Sequence, residues 1–141
     1  MLALYWLIWL VCMPVILVYL YLRSRHEPEY FKFLGERFGH HQLRKGPHIW
    51  IHAVSLGEVR SAAPLIAHLL EGPLPIVITH FTPAGRREVA RLFSSAVADG
   101  RLTPCYIPFD YDAAFKRFFN AFSPTYGLVM EVEFWPAMIM S

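Results

Sequence analysis

Residues 48–70 read HIWIHAVSLGEVRSAAPLIAHLL, and the first seven differ in kind from the rest. His48 to Val54 is rich in β-branched and aromatic residues and predicts a strand. Gly57 to Leu70 carries apolar side chains at helical spacing and predicts a helix, bent at Pro64. Between them Ser55 stands three residues before Glu58, the spacing of a capping box at a helix start. Outward from this stretch the pattern repeats. Pro75 to His80 (PIVITH) is a second strand, and Pro83 to Phe93 a second helix with Thr82 at its N-cap and Pro83 at its first position. Cys105 to Phe109 reads as a third, short strand and Asp112 to Phe122 as a third helix. Tyr126 to Met130 (YGLVM) is a fourth, wholly apolar strand, and Trp135-Pro136 begins another helix. Such alternation predicts an α/β, Rossmann-like domain over residues 48–141: helices on a parallel sheet with right-handed crossovers. Ligands of such sheets bind beyond the carboxyl ends of the strands.

Upstream, Leu2 to Leu22 runs 21 residues without a charge. A helix of that length spans about 30 Å, the thickness of a bilayer's hydrocarbon core. Residues 1–22 therefore predict a transmembrane or anchor helix, with Trp6, Trp9, Tyr19 and Tyr21 as interfacial aromatics and Pro14 as a tolerated kink. A secretory signal fits poorly, because no Lys or Arg precedes the run and no A-x-A-like site follows it. A helix lying in the interface is the other reading, and so uniformly apolar a face argues against it. Six basic residues (Arg23, Arg25, Lys32, Arg37, Arg44, Lys45) stand against three Glu just downstream. The positive-inside rule then places the body of the protein in the cytoplasm. Residues 23–47 read as a basic juxtamembrane helix, Glu29 to Phe38, and a polar linker, His40 to Pro47.

From Gly46 onward seven basic residues meet eight acidic ones, a balance that gives no electrostatic case for nucleic acid. Cys12 and Cys105 have no paired spacing, so neither a disulfide framework nor a zinc site is supported.

Three loops at strand ends can carry chemistry. In the first, Ser55 and Glu58 serve a capping box; equally, Gly57 lets a ligand approach the backbone and Glu58 can act as a general base on a hydroxyl. In the second, Glu131 ends an apolar strand, a costly place for a carboxylate without a partner or a task, and Glu133 can share its face. Both can instead complement the dipole of the helix that follows. In the third, Thr79 to Arg86, His80, Thr82 and free helix N-terminal amides suit an anionic or sugar ligand, though a lone His is more often structural.

SLGE after the first strand, T-x-x-T-P-x-G after the second (Thr79 to Gly85) and M-E-x-E-x-W-P (Met130 to Pro136) occur here in order. They follow an apolar anchor and a G-E-R-F-G element at Gly35 to Gly39. In this combination the chain resembles the 3-deoxy-D-manno-octulosonic acid (Kdo) transferases, over the first of that family's two domains. The resemblance implies the GT-B fold and transfer of Kdo from CMP-Kdo to the lipid A precursor (lipid IVA) on the cytoplasmic face of the inner membrane. It implies an acceptor-binding amino-terminal domain and a CMP-gripping carboxyl-terminal one. Only AMIMS follows Trp135-Pro136, so the sheet reads as cut short and the donor-binding domain as absent. The 141-residue chain is then expected to be inactive alone. By the same resemblance Glu58 is the proton acceptor and Glu131 a second active-site carboxylate that steadies an oxocarbenium-like transition state. Ser55, Gly57, His80, Thr82 and Glu133 would be acceptor contacts. The implied displacement is inverting, with no metal and no other cofactor. Val132, Phe134 and Ala137 depart from the usual Thr, Leu and Asn; Ala137 lacks a polar contact. Two alternatives stay open: another membrane-associated GT-B glycosyltransferase, or a non-catalytic lipid-binding module.

Overall fold

A computed structural model describes residues 2–44, 46–130 and 135–140, leaving aside the side chains of 2–4 and 6. The chain divides into two compact units between Leu34 and Gly35. In the first, helix α1 (Leu2–Ser24) runs unbroken through Pro14. Its 23 residues extend about 34 Å, and by length and composition it can cross a membrane. Leu10, Val11 and Val15 are exposed. A turn at residues 25–28 leads into the single-turn helix α2 (Glu29–Lys32). The Tyr21 and Phe31 rings meet edge to face there, and the Arg23 guanidinium lies 5.4 Å from the centre of the Tyr30 ring.

The expected single helix from Glu29 to Phe38 is broken at Phe33, and a second one-turn helix, α3, spans Leu34–Arg37. Glu36 and Arg37 are committed elsewhere, as shown below. Gly39, at φ +79°, then turns the chain out of the helix. Its missing side chain is required, because a Cβ would stand 2.2 Å from the Ala114 carbonyl oxygen. Residues 40–44 and 46–47 are irregular, yet they are not loose from the domain. His41 wedges edge-on between Phe118 and Phe122, and the Arg44 N–H bonds the Ala121 carbonyl at 2.9 Å.

The second unit alternates β1 (His48–His52), α4 (Leu56–Leu70), β2 (Ile76–His80), α5 (Pro83–Leu92), the short α6 (Ser94–Ala98), β3 (Leu102–Tyr106), α7 (Asp112–Phe122), β4 (Pro124–Val129) and α8 (Pro136–Met140). All strand pairs are parallel, in the order β3-β2-β1-β4. This is the expected Rossmann-like mixed α/β arrangement. Strand β1 closes at His52, two residues early, because the chain leaves the ladder to enter the capped turn. The third strand lies three residues upstream of its expected place. Pro104 is accommodated there because β3 is an edge, where a missing N–H is tolerated. Ile76 bonds Arg101 and Ile107 bonds His80 in the β2–β3 ladder, so the Pro104 nitrogen falls on the outward side.

Residues alternate across the strands and build two cores. Ile49, Ile51, Ile76, Ile78 and Leu102 pack with Val59, Ala62 and Ile66 of α4 and Val89 of α5. On the other face Trp50 meets the rings of Phe115, Phe118 and Phe119 from α7, and His48 meets Phe122. Gly127, opposite Trp50 on β4, leaves room for the indole; a Cβ there would approach its ring to 3.2 Å. Strand β4, apolar by sequence, is mostly exposed, with Tyr126 61% and Leu128 36% accessible, because it is the other edge of the sheet.

Candidate active site

The strand order reverses between β1 and β4, and the crevice at such a switch point is where doubly wound sheets place their ligands. The carboxyl end of β1 delivers residues 53–58 there. Ser55 is the N-cap of α4: its Oγ accepts the Glu58 N–H at 3.4 Å. It also donates to Oε1 of Glu58 at 2.7 Å, while Oε2 accepts the Val54 N–H at 2.7 Å. The capping box is thus built, and its reciprocal bonds hold the carboxylate in one orientation. A carboxylate oxygen has two lone pairs, so each keeps one for another donor. Ser55, Gly57, Glu58, Ser61 and Met130 line an open cavity of about 310 Å³. Ser61, missed in the sequence, is one helical turn beyond Glu58, and that i,i+3 spacing was the available signal. Glu131 and Glu133, the other candidate carboxylates, lie outside the described residues. A larger cavity of about 410 Å³, lined by Ile49, His68, Leu69 and residues 71–74, sits at the opposite, amino-terminal end of the strands.

The loop after β2 braces the first loop from behind. The Ala53 N–H bonds the Thr79 carbonyl and the Phe81 N–H bonds the Val54 carbonyl, at 3.0 and 3.1 Å. His80 Nδ1 lies 2.8 Å from the Ala53 carbonyl, which can only accept, so Nδ1 carries the proton. The ring is fully buried. Burial, despite that hydrogen bond and helped by the nearby Arg86 charge, lowers the His80 pKa to about 4. His80 is therefore a neutral brace under the loop and has no face toward solvent. Gly85 packs against it, a Cβ there reaching Nδ1 at 3.2 Å. Thr82 caps α5, accepting the Gly85 N–H at 3.3 Å. The Thr79 hydroxyl joins Trp50 Nε1 and His52 Nδ1, each at 2.9 Å. Burial pushes the His52 pKa down, with the Glu58 charge pulling weakly the other way.

The Gly35 to Gly39 element clamps the ends of β2 and β3. Arg37, one of the six basic residues counted after the apolar run, is completely buried. Its guanidinium lies 4.2 Å from the Tyr106 ring centre and 4.9 Å from that of Phe81, and donates to the Phe81 carbonyl at 2.8 Å. Glu36 takes a two-pronged ion pair from Arg86 and accepts the Tyr106 N–H at 2.8 Å, which covers an outward donor of the edge strand. Asp110, also missed, is 1% exposed and accepts the Ala137 and Met138 N–H groups at 2.8 and 3.3 Å, capping α8 from a distance. Among the described residues no group of three or more His, Cys, Asp or Glu is placed to hold a metal ion.

Residues 32–141 match the family model described as 3-deoxy-D-manno-octulosonic-acid transferase (kdotransferase). The chain is 39% identical over 131 residues to a 3-deoxy-D-manno-octulosonic acid transferase of Bordetella pertussis, covering 89% of this chain and 31% of that protein. It is 37% identical over 135 residues to one of Haemophilus influenzae, covering 92% and 30%. A probable mitochondrial counterpart in Arabidopsis thaliana is 33% identical, covering 91% and 28%. The chain thus spans slightly under a third of the length of these relatives.

Proposed function

The chain belongs to the 3-deoxy-D-manno-octulosonic acid (Kdo) transferase family, and from that premise we propose that it is the acceptor-binding part of a GT-B glycosyltransferase. That enzyme moves Kdo from CMP-Kdo to a lipid A precursor. One observation carries the reading. The Glu58 carboxylate is held in one orientation by Val54 and Ser55 and lines the cavity at the switch point of the sheet.

A sugar hydroxyl is a weak nucleophile at neutral pH, so a fixed carboxylate that takes its proton during attack speeds transfer. Glu58 is that base. As the hydroxyl oxygen bonds to the anomeric carbon, the bond to the CMP phosphate breaks and CMP leaves with the electron pair. Glu131, which follows β4 in sequence, steadies the positive charge that develops on the sugar. Gly57 admits the acceptor close to the backbone. Ser55 and Thr82 spend their hydroxyls on caps and His80 is buried, so these three shape the site. Helix α1 anchors the protein in the inner membrane with the site on the cytoplasmic side, where a lipid acceptor is within reach. The donor is gripped by a second domain, so residues 1–141 alone do not turn over. The reading includes no metal or other cofactor.

The test is to incubate the full-length protein containing this segment with CMP-Kdo and labelled lipid A precursor, with and without EDTA. A Kdo adduct formed equally in both is expected. No adduct, with adducts on other lipid or sugar acceptors, would replace the proposed substrate.

A further inference from the structure

We propose that His80 is a positioning residue for the general base: its imidazole fixes the peptide that fixes the Glu58 carboxylate. The inference rests on the base role given to Glu58 above. His80 Nδ1 donates to the Ala53 carbonyl at 2.8 Å, and the Val54 N–H donates to Oε2 of Glu58 at 2.7 Å. That carbonyl and that N–H are the two ends of one peptide group. The imidazole and the carboxylate therefore grip a single planar unit from opposite sides, across a bond that does not itself rotate. A donor on the carbonyl also polarises the group and makes its N–H a stronger donor to the carboxylate.

Main-chain bonds already tie the peptide groups on either side. The Ala53 N–H bonds the Thr79 carbonyl and the Met130 N–H bonds the His52 carbonyl, each at 3.0 Å, and the Phe81 N–H bonds the Val54 carbonyl at 3.1 Å. Between these anchors the Ala53–Val54 peptide takes its bonds from side chains, His80 at one end and Glu58 at the other. Without the imidazole it is free to turn about its two flanking single bonds while its neighbours stay in place. The Val54 N–H then swings away from Oε2, and the carboxylate loses its fixed orientation. The ring that prevents this is itself held. It is fully buried, its own carbonyl accepts the Ile107 N–H at 2.9 Å, and a Cβ on Gly85 would come within 3.2 Å of Nδ1. An imidazole is costly to bury, and among the described residues Nε2 has no hydrogen-bond partner. The ring is thus kept for the bond that Nδ1 makes, whereas a loop that needed only to be closed has the main-chain bonds. His80 touches neither substrate nor reacting atoms; it acts through the peptide that holds Glu58.

The experiment uses the full-length protein containing this segment, with CMP-Kdo and lipid A precursor as substrates. His80→Leu, His80→Asn, His80→Gln, Glu58→Gln and the double variant His80→Leu/Glu58→Gln are compared for kcat and KM, each normalised to the folded fraction by circular dichroism. His80→Leu is expected to lower kcat at least about tenfold with both KM values within about threefold, because a misplaced base acts on the transition state. His80→Asn puts an amide donor where Nδ1 stood and keeps kcat within about threefold of the parent. His80→Gln puts its amide where Nε2 stood, leaves the Ala53 carbonyl without a donor and falls with His80→Leu. A merely structural role would not separate Asn from Gln once the folded fraction is equal. On the Glu58→Gln background, His80→Leu costs less than about twofold, since two residues acting through one group are not additive. An unchanged kcat in folded His80→Leu overturns the proposal, as does a raised KM alone, an Asn variant as slow as Leu, or a full tenfold loss added to Glu58→Gln. Should His80→Leu not fold, His80→Gln gives the same test: a lowered kcat at constant KM supports positioning, and a normal kcat overturns it. Near-normal turnover by Glu58→Gln would sink the base role of Glu58 and this inference with it. A dead Glu58→Gln beside a normal His80→Leu sinks the inference alone.

Discussion

Replacing His80 with Asn should remove a specific part of the domain's sensitivity to acid. The ring is fully buried and donates through Nδ1 to the Ala53 carbonyl, and its pKa is lowered to about 4. In the unfolded chain a histidine titrates near its ordinary value of about 6.5. As pH falls below that value the unfolded state takes up a proton that the folded state refuses, so stability declines. The decline levels off only below the folded pKa. Between about pH 7.5 and about pH 5 this linkage removes about 2 kcal/mol, and about 3 kcal/mol when complete. Asn places an amide donor where Nδ1 stood and does not titrate, so His80→Asn should keep the brace and lose the pH dependence. Urea unfolding of the chain in a nonionic detergent, followed by tryptophan fluorescence, measures both proteins at the two pH values. His41, whose pKa burial against α7 also lowers to about 4, and His52 are common to both and cancel. The parent should lose about 2 kcal/mol more than the variant on acidification. Equal losses would refute the buried, neutral His80 and return it to the solvent-facing side of the loop.

Gly39→Ala should destabilise the second unit by at least about 2 kcal/mol, since it combines a positive φ with a clash against the Ala114 carbonyl; an unchanged melting temperature would contradict that geometry. Deleting residues 2–22 should move the protein from the membrane pellet toward the soluble fraction after salt washing. Full retention in the pellet would show that α1 is not the anchor.

The local elements were legible because their signals are local. Ser55 and Glu58 announce a cap by spacing alone, and Thr82-Pro83 does the same for α5; both caps are built as read. The parallel sheet followed from strand–helix alternation, but its order could not, because pairing β4 with β1 is a long-range event. Strand β3 lies three residues upstream of its expected place and contains Pro104, which an edge position visible only in the assembled sheet accommodates. Arg37 and Glu36 entered the sequence reading only as charges in a count and as part of the Gly35 to Gly39 element; their partners Phe81, Tyr106 and Arg86 are 44 to 70 residues away in sequence. Asp110 was invisible for the same reason. Of the site, Glu58 could be found by combining the capping spacing with the rule that ligands sit at strand carboxyl ends. His80 shows the limit of residue type as a guide. An imidazole at such an end suits a ligand by chemistry, and burial assigns it to the loop instead.

The central claim is that Glu58 does chemistry beyond closing its capping box. Glu58→Gln in the full-length protein containing this segment tests it most directly, because Gln keeps one oxygen to accept the Val54 N–H and turns an NH2 toward the Ser55 hydroxyl, which can accept from it, while removing the base. Turnover of CMP-Kdo with lipid A precursor should fall at least about 100-fold with the melting temperature nearly unchanged. Near-normal turnover with a lowered melting temperature would contradict the account and leave Glu58 a helix cap alone.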